Sequence, residues 1–206
     1  VGLKEVVTYS LISEGDFNRT SLDSTSALAL ENPLSQEYHI LRGTLIPSLL
    51  GCASFNLNHG NKDLEIFEIA HVFKGLETVN AGIVLCGEKR SAWHRKGAPY
   101  DIFDLKGIVE TLCDELQVRS ICIRSCEGLA FAQAGAMCQI VAGDQVLGVF
   151  GQVSPAVKKA WGMKGKEDVY VAEIALEPLA DRADLKKRCA PLVGVPSILR
   201  DVSVLV

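Results

Sequence analysis

The sequence lacks three features that would point to particular functions. It has no basic excess, because 21 lysines and arginines stand against 25 aspartates and glutamates, for a formal charge of −4. Proteins that bind a phosphate backbone over much of their surface usually show such an excess. No apolar run approaches the roughly 18 residues that a membrane helix needs, and the first residues, Val-Gly-Leu-Lys, are not a signal peptide. These absences predict a protein without a membrane segment, beginning within a longer chain.

The cysteines lack the spacing of a metal site or of a disulfide framework. Seven are scattered along the chain, and none forms a C-x-x-C pair. Cys122 and Cys126 are the only close pair, and no histidine lies near them in sequence to complete a tetrahedral zinc site. The pattern therefore predicts reduced, buried thiols in a cytoplasmic protein, with no bound metal.

With 206 residues and 48% hydrophobic content, the chain can bury a large core. Residues 3–12 alternate as a strand, and apolar residues at helical spacing predict a helix between an N-cap at Thr44 and Gly60. Residues 64–74 are apolar on both faces, which predicts a central strand covered on each side. A second strand, 81–87, is close enough in sequence to be antiparallel to the first.

The second half predicts a mixed order of elements. A helix after Asp101 is followed by a strand, by a hairpin turning at Gly143-Asp144, by a short helix at Pro155 and by a strand from Val169. Because many strands are joined by short turns, we predict an α+β fold on a largely antiparallel sheet. The predicted boundaries are a core domain over 1–180, a linker over 181–195, and the first strand of a further domain over 196–206.

Several residues are candidates for functional groups. His94 has Asp101 and Asp104 nearby, but no nucleophile accompanies them, so a solvated loop histidine is the favoured interpretation. The glycines 143, 148 and 151 do not fit G-x-G-x-x-G and lie on a hairpin, which excludes a phosphate cradle. A basic loop offers RNA contacts around a ring that bases could stack on: Lys89, Arg90, Trp93, Arg95 and Lys96. An exposed loop without that role is the more ordinary explanation.

Glu68 is the most unusual residue of the predicted strand 64–74. A carboxylate inside an apolar strand is costly to bury unless a partner compensates for its charge. Arg42, which precedes the predicted helix, is the candidate partner. We predict that this pair has a structural role.

These stretches together resemble the core of the β subunit of bacterial phenylalanyl-tRNA synthetase. The blocks that occur in the family's order and spacing are NPLS at 32–35, LRGTL at 41–45, PSLL at 47–50, NLN at 56–58, FEI at 67–69, DIFDLKGIVETL at 101–112, GVFGQVSPAV at 148–157 and VYVAEIAL at 169–176. The stretch from Pro196 to Val206 is similar to the first strand of the family's ferredoxin-like anticodon-binding domain. The resemblance covers nearly the whole chain.

The resemblance implies a fold like the class II aminoacyl-tRNA synthetase catalytic domain, an antiparallel sheet flanked by helices. It implies a catalytic α subunit as partner in an (αβ)₂ assembly in the cytoplasm, which charges tRNA(Phe) with ATP and Mg²⁺. In active members, one arginine on the motif-two strand and another on a glycine-rich strand-helix stretch bind ATP. The matching strand here offers His71 and Lys74, and the stretch 143–155 has no arginine.

We therefore expect no catalytic, cofactor-binding or metal-binding residue in this chain, and an architectural role beside the α subunit. Two alternatives stay open at this stage. One is a free-standing RNA-binding module that uses the loop 89–96, and the other is an independent class II-like ligase for a small molecule. The missing arginines disfavour the second.

Overall fold

The computed structural model describes residues 2–23, 27–33, 35, 37–89, 93, 97–186, 194 and 200–203. Within these ranges the helices are α1 (Glu14–Arg19), α2 (Ile46–Asn58), α3 (Ile102–Glu115), α4 (Pro155–Ala160) and α5 (Leu176–Ala180). The strands are β1 (Lys4–Glu5), β2 (Leu11–Ile12), β3 (Ile40–Leu41), β4 (Leu64–Lys74), β5 (Leu76–Cys86), β6 (Ile121–Ser125), β7 (Ala132–Ala142), β8 (Gln145–Val153) and β9 (Val169–Ala175). None of the described helices is long and apolar enough to cross a membrane.

Seven strands of the described chain form one sheet in the order β1-β4-β5-β9-β8-β7-β6. Neighbouring strands are antiparallel except β1 and β4, which run parallel. The strands β2 and β3 form a separate antiparallel pair. The predicted α+β fold on a largely antiparallel sheet flanked by helices is confirmed.

Different helices cover the two faces of the sheet. On one face, α2 and α4 pack against apolar side chains of β4, β5 and β9. On the other face, α3 and Leu179 of α5 pack against β5, β8 and β9. The close approach of α2 needs a glycine, because a Cβ at Gly82 of β5 would lie only 2.4 Å from Leu49 Cδ1.

The helix α3 begins where its sequence predicts. Asp101 is its N-cap, and the carboxylate accepts hydrogen bonds from the backbone N–H groups of Phe103 at 2.8 Å and of Asp104 at 3.0 Å. Asp104 completes the capping box by accepting from the backbone N–H of Asp101 at 2.8 Å. The two carboxylates that were weighed as partners of His94 therefore cap a helix, and His94 lies outside the described residues.

The predicted strand over 3–12 is wrong in its middle. Only Lys4 and Glu5 pair with β4, and Leu11 and Ile12 belong to the smaller sheet. Between them the backbone N–H of Thr8 donates to the Glu68 carboxylate at 3.0 Å. A side-chain acceptor therefore replaces a strand partner at Thr8, and the alternating pattern could not reveal this.

The strand β4 is covered on one face more fully than on the other. Leu64, Ile66, Glu68 and Val72 are buried beneath α2, whereas on the opposite face Ile69 is 52% exposed and His71 is also exposed. The prediction that both faces are covered is wrong for the second half of the strand, because the helix α3 packs over β8 and β9. The turn after it is tighter than predicted, since Lys74 already pairs with Leu76 across Gly75.

A short helix follows the last strand of the sheet. Residues 176–180 form the short helix α5, whose Leu179 is buried against the core. The predicted core boundary at 180 therefore coincides with the end of a helix. Most of the linker 181–195 and most of the segment 196–206 lie outside the described residues, so these two domain assignments stay predictions.

Candidate functional site

Two buried carboxylates lie in one row across the sheet, on the face that α2 covers. Glu68 of β4 is paired with Gly82 of β5, and Gly82 is paired with Glu173 of β9. Cross-strand partners share a face, so both carboxylates project toward the loop that precedes α2. Glu68 is 2% exposed and Glu173 is 8% exposed. Each carboxylate binds a different end of that loop, which we define as residues 42–45.

Arg42 and Glu68 form the first of these contacts. The Nη2 atom of Arg42 donates to Oε1 of Glu68 at 3.1 Å, and Arg42 is only 1% exposed. Its other two nitrogens are bonded as well, because Nε donates to the His71 carbonyl at 3.2 Å and Nη1 donates to Thr8 Oγ1 at 2.6 Å. The Thr8 hydroxyl in turn donates to Glu68 Oε2 at 2.7 Å. The structure thus brings the predicted pair together within a closed network.

This network connects three separate parts of the chain. Thr8 belongs to the N-terminal segment, Arg42 to the loop 42–45, and Glu68 to β4. The backbone of Arg42 adds two bonds, since its N–H donates to the Ser10 carbonyl at 2.9 Å and its carbonyl accepts from the Phe73 N–H at 2.8 Å. A buried charge is tolerable only when it is paired and hydrogen-bonded, and both conditions are met here. The arrangement fits the proposed structural role of the pair.

Glu173 forms the second contact and was missed by sequence reasoning. Its Oε1 accepts from the Leu45 backbone N–H at 3.0 Å and from Asn80 Nδ2 at 2.7 Å, and its Oε2 accepts from the Thr44 hydroxyl. Leu45 is the N-cap of α2 and has no side chain that could cap it. Glu173 therefore accepts from the N–H of the N-cap residue, which is the bond that the N3 carboxylate makes in a capping box. The predicted N-cap, Thr44, is wrong by one residue, although its hydroxyl accepts from the Ile46 N–H at 3.3 Å while it donates to Glu173.

Burial raises the pKa of the Glu173 carboxyl above its ordinary value, although the bonds from Thr44, Asn80 and Leu45 and the charge of Arg42 act in the opposite direction. A free carboxylate in the unfolded chain titrates near pH 4.3. The folded protein therefore holds this proton more tightly than the unfolded chain does. The stabilising contribution is complete below the unfolded pKa and is lost as the pH rises through the folded pKa.

Glu173→Gln is expected to stabilise the chain at neutral pH, and the gain over wild type should grow as the pH rises from about 4. The glutamine carbonyl can accept from Leu45 and Asn80, its NH₂ group can donate to the Thr44 hydroxyl, and it carries no charge to desolvate. Urea denaturation followed by circular dichroism at a series of pH values measures the difference. Glu173→Ala is the matched control and should be less stable than Glu173→Gln at every pH, because Leu45 and Asn80 lose their acceptor. Parallel pH profiles for wild type and Glu173→Gln would contradict the assignment.

A cleft of about 460 Å³ opens beside α2 on the same face of the sheet. Its polar walls include Thr44, Asn80 and Glu173, and Lys74 at the end of β4 also lines it. Its apolar walls are supplied by Phe17, Phe73, Phe131 and several aliphatic side chains. The cleft is thus bordered by the strand that resembles motif two and by β8 of the glycine-containing stretch. Among the described residues that line it, none is an arginine.

The two basic groups on the motif-two-like strand have different surroundings. Lys74 lines the cleft, but His71 lies on the opposite face, because alternate residues of a strand project to opposite sides. His71 Nδ1 is 2.8 Å from Glu77 Oε1 on the neighbouring strand, and both side chains are exposed. The cleft is therefore lined by one lysine of β4 and by a buried carboxylate on its floor.

The structure gives little support to the basic loop as an RNA-binding surface. Lys89 Nζ is 2.7 Å from Asp104 Oδ1, so this cation is already paired with the capping box of α3. Trp93 is 98% exposed. The remaining candidates of the loop, Arg90, Arg95 and Lys96, lie outside the described residues. The five residues therefore stay a prediction, and Lys89 is its weakest member.

The described cysteines are free thiols. Cys86 and Cys113 are buried, and burial raises the pKa of Cys86 to about 12, which leaves this thiol unreactive at neutral pH. Cys122 is exposed, so the prediction of buried thiols is wrong for this residue. No group of three or more residues able to hold a metal ion occurs in the described part of the chain. Gly143 forms the turn of the β7-β8 hairpin, and Gly148 and Gly151 lie within β8.

The chain is similar in sequence to a known protein family over most of its length. The family model for the phenylalanyl-tRNA synthetase β chain CLM domain matches residues 1–176. The phenylalanine–tRNA ligase β subunit of Geobacter sulfurreducens is 32% identical over all of this chain and 27% of its own length. The corresponding subunit of Fusobacterium nucleatum is 31% identical over 99% of this chain and 26% of its own length. The chain thus spans about a quarter of the length of these curated relatives.

A solved structure of similar fold is the pyrrolysyl-tRNA synthetase of Desulfitobacterium hafniense. It superposes with a TM-score of 0.66 at 15% sequence identity, covering 86% of this chain and 62% of that chain. At this identity the likeness concerns the fold alone. It agrees with the expected class II synthetase-like sheet.

Proposed function

Because this chain belongs to the phenylalanyl-tRNA synthetase β-chain family, we propose that it is a non-catalytic domain that supports a catalytic α subunit. In this proposal the α subunit charges tRNA(Phe) with phenylalanine, using ATP and Mg²⁺, within an (αβ)₂ assembly. The chain itself binds neither ATP nor a metal ion. Charging of tRNA serves cytoplasmic translation, so the proposed compartment is the cytoplasm.

The observation that carries this proposal is the chemistry of the cleft. ATP phosphates are recognised by arginines, whose planar guanidinium donates two hydrogen bonds at once. Here the described lining contains no arginine, and the buried Glu173 carboxyl among these residues offers a phosphate no positive charge. Arg42 is close to the same loop, but its guanidinium is already bonded to Glu68, Thr8 and His71. These residues support the proposal that the domain keeps a synthetase-like fold while its cleft does not bind the phosphates of ATP.

An ATP–pyrophosphate exchange assay tests the catalytic half of this proposal. The purified chain with phenylalanine, ATP and Mg²⁺ is expected to give no exchange above a blank without protein. An active phenylalanine–tRNA ligase is the positive control under the same conditions. Exchange by this chain alone would contradict the proposal and would favour the independent small-molecule ligase.

Co-expression with a catalytic α subunit tests the partner. The two chains are expected to elute together in size-exclusion chromatography, and aminoacylation by the complex would be measured in the same fractions. Separate elution would argue against the assigned partner. The exchange assay does not depend on that result, so the two halves of the proposal can fail independently.

The alternative of a free-standing RNA-binding module is less favoured. It rests on the loop 89–96, and Lys89 of that loop is paired with Asp104. Its discriminating result would be salt-dependent tRNA binding that is lost when Lys89, Arg90, Arg95 and Lys96 are neutralised together.

A further inference from the structure

A second pocket is lined by other residues than the cleft, near the edge of the sheet that ends in β6. It has a volume of about 460 Å³. Its walls come from the segment after α3, from the β7-β8 turn and from the segment after α5. The residues that matter to its chemistry are Arg119, Ser120, Gly143, Arg182 and Asp184.

Two arginines line this one pocket, and no carboxylate of the described residues is in direct contact with either of them. Arg182 Nη1 donates to the Pro178 carbonyl and Nη2 donates to Gln145 Oε1, both at 2.7 Å. These neutral acceptors hold the guanidinium in place without neutralising it. Among the described residues, neither Arg182 nor Arg119 has a carboxylate oxygen within 4.0 Å. Both arginines are exposed, so a ligand can reach them.

Among the described residues that line the pocket, Asp184 is the one acidic residue, and it is held in place by backbone bonds. Asp184 Oδ1 accepts from the backbone N–H of Lys186 at 3.2 Å, and the backbone N–H of Asp184 donates to the Leu116 carbonyl at 3.1 Å. Two positive side chains therefore face one negative side chain, and Lys186 adds an exposed positive charge nearby. The pocket is locally basic in a chain whose net charge is −4.

We propose that this pocket binds a phosphate group. Two guanidinium groups suit a tetrahedral anion, because Arg119 can donate in a planar fork to two of its oxygens. Arg182 adds a second positive charge and the N–H groups that its bonds to Pro178 and Gln145 leave unused. The Ser120 hydroxyl adds a further donor in the same pocket. The phosphate can belong to an RNA backbone or to a free compound such as pyrophosphate. This site lies outside the proposed function and does not depend on it.

Titration of the full chain with pyrophosphate tests the site. Backbone amide signals of Ser120 and Gly143, followed by ¹H–¹⁵N NMR, are expected to shift in a saturable way. The exchanges Arg119→Gln and Arg182→Gln should each weaken binding by about tenfold, because each removes a charge-assisted contact. Binding of the wild-type chain should also weaken as the salt concentration rises.

The control is Arg124→Gln, which changes an exposed arginine of β6 that does not line the pocket. It should leave the affinity within about twofold, well below the tenfold step that marks a lost direct contact. Arg182 also bonds to neighbouring groups, so its variant could lose local structure. Arg119 forms no ion pair among the described residues, and its variant keeps the test valid. Unshifted Ser120 and Gly143 signals, or equal weakening by Arg124→Gln, would overturn the proposal.

A second arm identifies the source of the phosphate. Fluorescence anisotropy with labelled tRNA compares the same three variants. Binding that falls with Arg119→Gln and Arg182→Gln but not with Arg124→Gln supports the site and assigns it to an RNA backbone. Pyrophosphate binding without tRNA binding also supports the site and assigns it to a free phosphate compound. Loss of tRNA binding in all three variants to the same extent would indicate a diffuse surface charge and overturn the proposal.

Discussion

Arg42→Met is expected to lower the free energy of unfolding by about 3–5 kcal/mol, the usual cost of removing one partner of a buried ion pair. The loss arises because Glu68, which is 2% exposed, would keep a buried charge without its cation. The Thr8 hydroxyl and the His71 carbonyl would each lose a hydrogen-bond partner too. Urea denaturation followed by circular dichroism should show a lower midpoint with an unchanged slope.

The double variant Arg42→Met/Glu68→Leu separates the pair from the rest of the network. It should recover much of the lost stability, because well-packed apolar residues often replace a buried ion pair at little cost. Arg124→Met, at an exposed position on β6, is the matched single control and should change stability by less than about 0.5 kcal/mol. Unchanged stability of Arg42→Met would contradict the structural role of the pair.

Gly82→Val is expected to destabilise the chain by about 3 kcal/mol, at the upper end of the usual cost of overpacking. Even the first added carbon would lie 2.4 Å from Leu49 Cδ1 and 3.2 Å from Leu45 Cβ. Both leucines are fully buried, so the new side chain can be accommodated only by moving α2 away from the sheet. Such a movement would pull the loop 42–45 from both Glu68 and Glu173, which flank Gly82 in the row.

The control for this prediction is another glycine, at position 107 within α3. A Cβ added there would have no neighbouring atom within 4 Å. Gly107→Ala should therefore stabilise the chain by about 0.5–1 kcal/mol through helix propensity. Opposite signs for the two exchanges, measured by thermal unfolding, would support close packing at Gly82. A gain in stability for Gly82→Val would contradict it.

The two predictions concern one arrangement, in which the loop 42–45 is held between two carboxylates of the sheet. Glu68 holds its beginning through Arg42, and Glu173 holds its end through Thr44 and Leu45. The two carboxylates thereby hold the loop 42–45 against the sheet.

Sequence reasoning located one of these carboxylates and missed the other. Glu68 is conspicuous because it interrupts an apolar strand, and Arg42 is a basic residue shortly before a predicted helix. Glu173 also lies in an apolar strand, but its partners are 93 to 129 residues away in sequence and are not charged. These partners are a threonine hydroxyl, a backbone N–H and a side-chain amide. Because none of them is charged, the sequence contains no oppositely charged residue that would point to the contact. Only the pairing of β9 with β5 brings them together.

Local patterns determined most of the elements. Apolar spacing and an aspartate at its start were sufficient for α3, and short turns were sufficient for the antiparallel hairpins, because these features depend on neighbouring residues. The errors occur where distant groups compete with local preferences. Thr8 leaves the strand pattern to bond with Glu68, and the N-cap falls on Leu45, whose N–H bonds to the distant Glu173.

The sequence by itself determined the fold class, the family resemblance and the absence of arginine from the stretches where a synthetase would bind ATP. Only the tertiary structure decided how the chain uses the charges it has. Arg42 is enclosed between Thr8, His71 and Glu68, whereas Arg119 and Arg182 reach one open pocket from segments more than 60 residues apart. The physical reason is that burial and charge compensation depend on which segments the sheet brings together. Local sequence patterns do not show which distant segments will meet.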